Sequence, residues 1–352
     1  MKLLQVMLSS QNGGAETFFE KLTLALADLG LEQMVIIEPD KRREALFSNH
    51  PNITVKTIRF RGIYEPLGRF LLNRCFKKWS PDVAMTWMSR AIKRTPTGYC
   101  PIVARLGGYY KVDRYRKSDK LIGNTPDIVQ YLKNEGIPPH KTQCIANFGE
   151  ITECELTDVE AKEKLRSELQ IPSDHTILLA LGRLHKAKAH DTLIKALKQT
   201  QKCSLIIAGE GELKEELESL AAELGLSGNV HLVGWRRDTS FLFKASDMCV
   251  FPSRFEPFGN VVVESWAQKK PLITTNSTGP LWLTTNEMNA LVVPIDNPEE
   301  LARAINRLQQ DPELANMLIE QGHRTFQSQY SKTAICSQYI DMLSEVTKNY
   351  RS

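Results

Sequence analysis

The sequence predicts an α/β fold made of two doubly wound, Rossmann-like domains, and three observations predict it. Apolar strand-like runs alternate with helix-patterned segments along almost the whole chain. At 352 residues the chain is longer than one hydrophobic core ordinarily supports. The alternation breaks once, in the acidic and strand-free stretch ITECELTDVEAKEKLRSELQIPSD (151–174), and then starts again.

Taken in order, LLQVMLSS (3–10) reads as a strand and residues 15–29 as a helix. QMVIIEP (33–39) and TVKTIRF (54–60) are strands, and YEPLGRFLLNRCFKKW (64–79) is a helix with basic residues among its apolar ones. DVAMTWM (82–88), PIVARLGG (101–108), KLIGNT (120–125) and TQCIANF (142–148) are further strands, and the helix TPDIVQYLKNEG (125–136) closes on a glycine. The second series has strands at TILLALGR (176–183), SLIIAGEG (204–211), NVHLVGW (229–235), DMCVFPS (247–253), PLITTNS (271–277) and ALVVPI (290–295), with helices between them. Three helical segments follow, near 297–310, 311–328 and 331–348. The expected domains are 1–160 and 161–330, with 331–352 a closing helix that crosses back onto the first. A ligand belongs in the central cleft that the two domains face, at the carboxyl ends of their strands.

Composition narrows the function. No window approaches the length of uninterrupted apolar residues that spans a bilayer, and the N-terminus lacks a signal-peptide pattern. Seven cysteines, an odd number without a Cys-x-x-Cys, suit free thiols in a reducing compartment, so the expected location is cytoplasmic. The net charge of +4 hides an asymmetry. Residues 41–120 hold 19 Lys/Arg against 5 Asp/Glu, whereas residues 151–352 hold 22 against 27. The first half is therefore expected to meet something anionic, the plain alternative being a solvated basic surface. No recognised nucleic-acid module is present.

Chemistry is expected at the strand ends of the second half. Gly182-Arg183 ends one strand and Lys188 follows five residues after Arg183, at a helix start. Two cations there suit a diphosphate, although surface cations near helix starts are common. Gly209 and Gly211 end the next strand, either to admit a ligand close to backbone or simply to turn tightly. Gly234-Trp235 ends the third, as an edge for a nucleobase or as core. FPSRFEPFGNVVVESWAQ (251–268) then passes from strand through loop into helix. It carries Glu256 in the loop and Glu264 one turn inside, on the face of Asn260. Two carboxylates with the helix-start amides from Phe258 to Val261 suit a polyhydroxylated ligand. A Glu that merely favours the helix dipole would not account for Pro257, Phe258 and Gly259 at the same place.

The E-x₇-E stretch, the Arg183–Lys188 spacing, GGAE (13–16) and NALVVPIDNPEELARAI (289–305) together resemble glycosyltransferase family 4, the retaining transferases of GT-B fold. The resemblance covers nearly the whole chain and is strongest over 176–305. It implies that Arg183 and Lys188 bind the donor's distal phosphate and that Glu256 lies against the donor sugar. It further implies that Phe258, Gly259 and Asn260 give backbone contacts, that Glu264 holds the nucleotide ribose, and that Gly13 and Gly14 approach the phosphates. Such enzymes need a nucleotide-sugar co-substrate, UDP-, GDP- or ADP-linked, and no other cofactor. They generally need no metal, and the sequence has no Asp-x-Asp pair. Four positions, in three motifs, depart from the family pattern. Met85 and Trp87 stand where a His-x-His is usual, Ala189 replaces a glycine, and Trp282 replaces a glutamate. Trp87 and Arg90 are the acceptor candidates, Trp87 either as a stacking platform or as core.

TWMSRA (86–91), RLGGYYK (105–111) and IGNTPDI (122–128) resemble enzymes that extend lipopolysaccharide core or related surface glycans. The basic segment 56–78 supports such an acceptor and predicts peripheral contact with the inner face of an anionic membrane. The competing expectations are a GT-B epimerase or hydrolase of the nucleotide sugar, a transferase for a small soluble acceptor, and a non-catalytic nucleotide-sugar binder.

Overall fold

The computed structural model describes residues 1–9, 13–60, 62–149 and 154–351, which fall into two compact units. The first comprises Met1–Asn147 with Lys332–Ser352, and the second is Phe148–Ser331. The expected boundary at 160 falls inside a helix of the second unit. That helix, fixed at its start by a capping box between Thr157 and Glu160, packs against second-unit structure.

In the first unit the order is β1 (Lys2–Met7), α1 (Gly14–Asp28), β2 (Glu32–Ile37), α2 (Lys41–Ser48), β3 (Ile53–Thr57), α3 (Glu65–Trp79), β4 (Val83–Trp87), α4 (Met88–Arg94), β5 (Ile102–Leu106), β6 (Lys120–Gly123), α5 (Pro126–Asn134) and β7 (Thr142–Cys144). The sheet is parallel, in the order β3-β2-β1-β4-β5-β6-β7. Its central strands are buried along their length, which is why they read as continuous apolar runs rather than alternating ones. Buried polar groups interrupt that core, Gln5 and Arg43 among them. Gln5 donates to Gln33 at 2.6 Å and to Thr23 at 3.0 Å, and Arg43 donates to Glu20 at 2.7 Å.

The second unit runs α6 (Asp158–Leu169), β8 (Thr176–Leu181), α7 (His190–Leu197), β9 (Cys203–Ala208), α8 (Lys214–Glu223), β10 (Val230–Gly234), α9 (Thr239–Ala245), β11 (Met248–Phe251), α10 (Asn260–Ala267), β12 (Leu272–Thr275), α11 (Thr278–Leu283), β13 (Leu291–Val293), α12 (Pro298–Gln310) and α13 (Pro312–Thr325). Its parallel sheet is ordered β10-β9-β8-β11-β12-β13. Side chains set the late helix starts: Asn297 accepts from the Glu300 amide at 3.0 Å and Asp311 from the Leu314 amide at 2.9 Å. Gly322 of α13 lies so close to Trp266 that an added Cβ would sit 2.4 Å from its ring, so α13 packs directly on α10.

The last helix, α14 (Lys332–Arg351), belongs to the first unit. It buries Ile335, Cys336, Tyr339 and Leu343 and pairs Lys332 with Asp28 at 2.8 Å. Both sheets reverse their winding once, between β1 and β4 in the first unit and between β8 and β11 in the second. Each unit thus has the topological switch point at which doubly wound folds bind ligands. Among the described residues no helix is long and apolar enough to cross a membrane.

Candidate active site

At the second unit's switch point the strands stop earlier than their apolar pattern suggests, and the residues just beyond them build the site. β8 ends at Leu181, and the chain then passes Gly182 and Arg183 into a short 3₁₀ turn at Lys186–Lys188. Ala189 follows in the left-handed region, with φ of 54°, and opens α7. β11 ends at Phe251, and its loop is tied to that turn. The amides of Arg254 and Phe255 both donate to the Ala187 carbonyl, at 2.9 and 3.3 Å. This tie brings together two groups 68 residues apart: the Lys188 ammonium pairs with the Glu256 carboxylate. The two side chains are 21% and 15% exposed, so the pair is shielded yet open on one side. The Lys188 ammonium also lies 5.2 Å from the centre of the Phe251 ring. Arg183 is exposed, and its guanidinium pairs with no side chain among the described residues.

Other groups hold this arrangement. Gly209 approaches the Gly182 carbonyl so closely that an added Cβ would sit 1.9 Å from its oxygen, and one at Gly211 would sit 2.3 Å from the Leu184 oxygen. These glycines pack the β9 loop against the β8 loop. Backbone-to-backbone packing, rather than space for a ligand, is what requires them. The Gly209 amide donates to the carbonyl of Gly234 at 2.8 Å, joining the third strand end to the set. Gly234 has φ of 70°, and Trp235 beside it is 61% exposed, with Arg237 over its ring at 5.2 Å. Trp235 is therefore not core.

Gly259, with φ of 94°, turns the loop into α10. Phe258 is buried and faces Trp282 at 6.0 Å, so only its backbone can meet a ligand. Asn260 is exposed at the helix start, and the Val262 amide is already satisfied by the Gly259 carbonyl at 3.0 Å. Glu264 is half-buried on the second turn of the same helix, close enough to Cys249 to help raise that thiol, whose own burial pushes it up to about 12.

Three further residues, to which the sequence reading gave no role, shape the site. Arg254 donates to Asp191 through both terminal nitrogens at 2.9 and 2.7 Å, to the Lys186 carbonyl at 2.7 Å and to Asp296 at 2.5 Å. It splints the β11 loop to the start of α7. Burial works to raise the Asp191 carboxyl, but the Arg254 bond and charge outweigh it and hold the group below its usual range. His190 is buried against the backbone of Gly182 and Arg183, and burial lowers its pKa to about 4, so it is neutral beside Lys188. Gly279 donates to the Glu256 carbonyl at 2.8 Å and leaves no room for a side chain against that loop.

In the first unit, Gly13 caps α1 and Gly14 opens it, with nothing within 4 Å of a Cβ added at Gly14. The adjoining residues 10–12 lie outside the described ones. Glu16 of the same motif is buried and accepts from Ser9 at 2.5 Å. Trp87 corrects the expectation of an acceptor platform. It is 1% exposed, its indole donates to Gln5 at 2.8 Å, and Phe19 and Arg105 lie 5.3 and 4.9 Å from its ring. No face is left for a sugar, because the side chain at this β4 position points into the unit. Met85 is likewise buried. Arg90 is partly exposed on α4 and donates to the buried Glu38 at 2.7 Å. Among the described residues no cluster of three His, Cys, Asp or Glu side chains is placed to hold a metal.

Comparison with known proteins decides what this geometry belongs to. Residues 161–325 match the family model "Glycosyl transferases group 1". The lipopolysaccharide core biosynthesis glycosyltransferase LpsE of Rhizobium meliloti is 34% identical over 95% of this chain and 96% of its own. The chain belongs to the group 1 glycosyltransferases. LpsD of the same organism, also a lipopolysaccharide core biosynthesis glycosyltransferase, is 33% identical over 97% and 98% of the two chains. The solved structure of Anabaena HepE in complex with UDP superposes with a TM-score of 0.83 at 21% identity, covering 98% of this chain and all of that one. The two-unit α/β architecture is thus the GT-B fold, and this glycosyltransferase carries its Lys188–Glu256 pair in the unit that the family model covers.

Proposed function

We propose that this glycosyltransferase moves a sugar, with retention at the anomeric carbon, from a nucleotide-sugar donor to an anionic lipid-linked glycan of the lipopolysaccharide-core class. It does so in the cytoplasm, at the inner face of the membrane. The relatives LpsE and LpsD are lipopolysaccharide core enzymes by name, and HepE holds UDP, which supports both halves of the reading. The observation that carries it is the Lys188–Glu256 pair at the switch point, with Arg183, whose guanidinium has no side-chain partner among the described residues, on the same strand-to-helix connection as Lys188.

The chemistry follows from those charges. Before donor binds, Lys188 and Glu256 neutralise each other. An arriving diphosphate gives Lys188 a stronger partner and adds Arg183 to it, leaving Glu256 free to accept from sugar hydroxyls. As the bond between the anomeric carbon and the phosphate oxygen breaks, negative charge grows on the leaving phosphate, where the two cations already stand. The acceptor oxygen attacks from the same face and passes its proton to that phosphate oxygen. Glu264 takes the ribose hydroxyls, and the backbone at Phe258, Gly259 and Asn260 meets the sugar and phosphates. Arg90 serves the acceptor, and the basic face 56–78 meets the membrane that carries it.

UDP-, GDP- and ADP-sugars, each incubated with and without truncated lipopolysaccharide core and analysed by mass spectrometry, test the reading. One donor should add one sugar to the core, and NMR of the product should show the donor's anomeric configuration. Free sugar as the sole product would replace transfer with hydrolysis. An inverted product would remove the retaining step.

A further inference from the structure

The first unit holds a pocket that the transfer chemistry leaves unused. A cavity of about 400 Å³ opens where β2 and β3 meet α3. Its apolar wall is made by Ile58, Leu71 and Trp79, and Lys56, Arg74 and Lys78 also line it, exposed to solvent, with no carboxylate among the lining residues. None of these three cations has a side-chain partner among the described residues.

Helix α3 continues the pattern beyond the cavity. Leu67, Phe70, Leu71, Arg74 and Lys78 share one stripe, apolar at its N-terminal end and cationic at its C-terminal end. That stripe is solvated: Leu67 is 53% and Phe70 60% exposed, and Ile63, just before the helix, is 87% exposed. Buried Gly68, Leu72 and Phe76 already anchor the helix on its other side, so packing of α3 does not require the exposed set. A free phosphate or a sugar phosphate would use the cations and leave the apolar wall in water. A ligand that joins a phosphate to a hydrocarbon chain uses both.

We propose that this cavity binds one anionic phospholipid of the bilayer. Its phosphate rests on Lys56, Arg74 and Lys78, and the start of an acyl chain lies against Ile58, Leu71 and Trp79. Ile63, Leu67 and Phe70 enter the same leaflet. The proposal deepens the membrane-facing part of the reading above and rests on it.

Cys75 lines the cavity and is half-buried, so its alkylation by iodoacetamide reports occupancy. The probe is dihexanoylphosphatidylglycerol kept monomeric, with dihexanoylphosphatidylcholine and inorganic phosphate as controls and rates read peptide by peptide by mass spectrometry. At ten times its half-saturating concentration the glycerol lipid should slow Cys75 about tenfold. It should leave Cys144 and Cys154 unchanged and should bind once per chain by native mass spectrometry. Leu71→Trp fills the cavity without changing charge. With an unchanged melting temperature, it should lose the protection and still sediment with phosphatidylglycerol vesicles. The triple variant K56Q/R74Q/K78Q should lose both. Equal protection by the choline lipid or by phosphate, or protection that survives Leu71→Trp, overturns the site. Absent protection in a chain that still sediments with the vesicles leaves a membrane-facing surface without a lipid pocket. A wild-type chain that fails to sediment removes the membrane reading itself, while the transfer reaction stands or falls on the donor screen.

Discussion

In the second unit the strands that flank the switch point lead to the partly exposed Lys188–Glu256 ion pair and to Arg183, exposed and without a side-chain partner among the described residues. In the first unit the strands at the same place in the winding carry Trp87, shut into the core beneath α1. Arg105 on the neighbouring strand is 2% exposed. That guanidinium donates to the Tyr339 hydroxyl at 2.9 Å and to Asn147, and lies 4.4 Å from the Phe18 ring and 4.9 Å from Trp87. One winding order therefore supports two outcomes. Where the residues after the strands are charged and the loops are tied open, a polar site results. Where an aromatic and a cation point inward, the same position becomes a structural plug. Topology offers the place, and the residues at and just past the strand ends decide its use.

That contrast can be broken at its strongest point by changing Trp87. Trp87→Ala should cost about 3–5 kcal/mol of stability, as for other fully buried aromatics. Trp87→Phe, which keeps the ring contacts but not the bond to Gln5, should cost less. Chemical denaturation measures both, and an alanine variant of normal stability with a raised acceptor KM would restore Trp87 as a platform. The charged end should behave in the opposite way. Lys188→Ala and Glu256→Ala should each lower kcat by about 10²–10³ while leaving the melting curve nearly in place. Near-normal turnover in either would remove the pair from the chemistry.

A finer separation comes from the two glycine sets. Gly209→Ala has no room against the Gly182 carbonyl and should weaken donor binding and lower the melting temperature, whereas Gly14→Ala meets nothing and should leave folding unchanged. Calorimetry and donor titration distinguish them. The smallest effect belongs to the splint. Asp191→Asn should cost about 1.5–3 kcal/mol at neutral pH, the range for a hydrogen bond to a charged group. Because the folded carboxyl titrates below its usual 3.8, its stabilisation is present above that value and is lost as pH falls through the lower folded one. The gap between wild type and variant should therefore narrow in acid, and a gap that widened there would reverse the assignment.

The strands were legible because parallel sheets covered on both faces leave long apolar runs. The same runs misled at their ends. Gly182-Arg183, Gly209 to Gly211 and Pro252-Ser253 read as the last residues of strands, but the ladder stops before them. Those overrun positions are where the site is made. Lys188 and Glu256 could be marked from their positions at a helix start and in a loop. Arg254 could not, since its partners Asp191 and Asp296 lie far along the chain in either direction. Helix α2 went unread because KRREALFS has little apolar period; its signal was Asp40, which accepts from the amides of Arg42 and Arg43. For Trp87 the signal was Gln5, a polar residue inside an apolar strand that needs a buried donor.

The placement of α14 sets an order of events during synthesis. The second unit is one continuous stretch, 148–331, and can finish as soon as it leaves the ribosome. The first unit begins earlier yet lacks its last helix until Lys332–Arg351 emerges, so the buried Arg105 waits for the Tyr339 hydroxyl until that helix has been made. Although it begins first, the amino-terminal unit is thus the later of the two to have all its residues. A chain cut short within Lys332–Arg351 would carry a complete second unit and a first unit without its last helix.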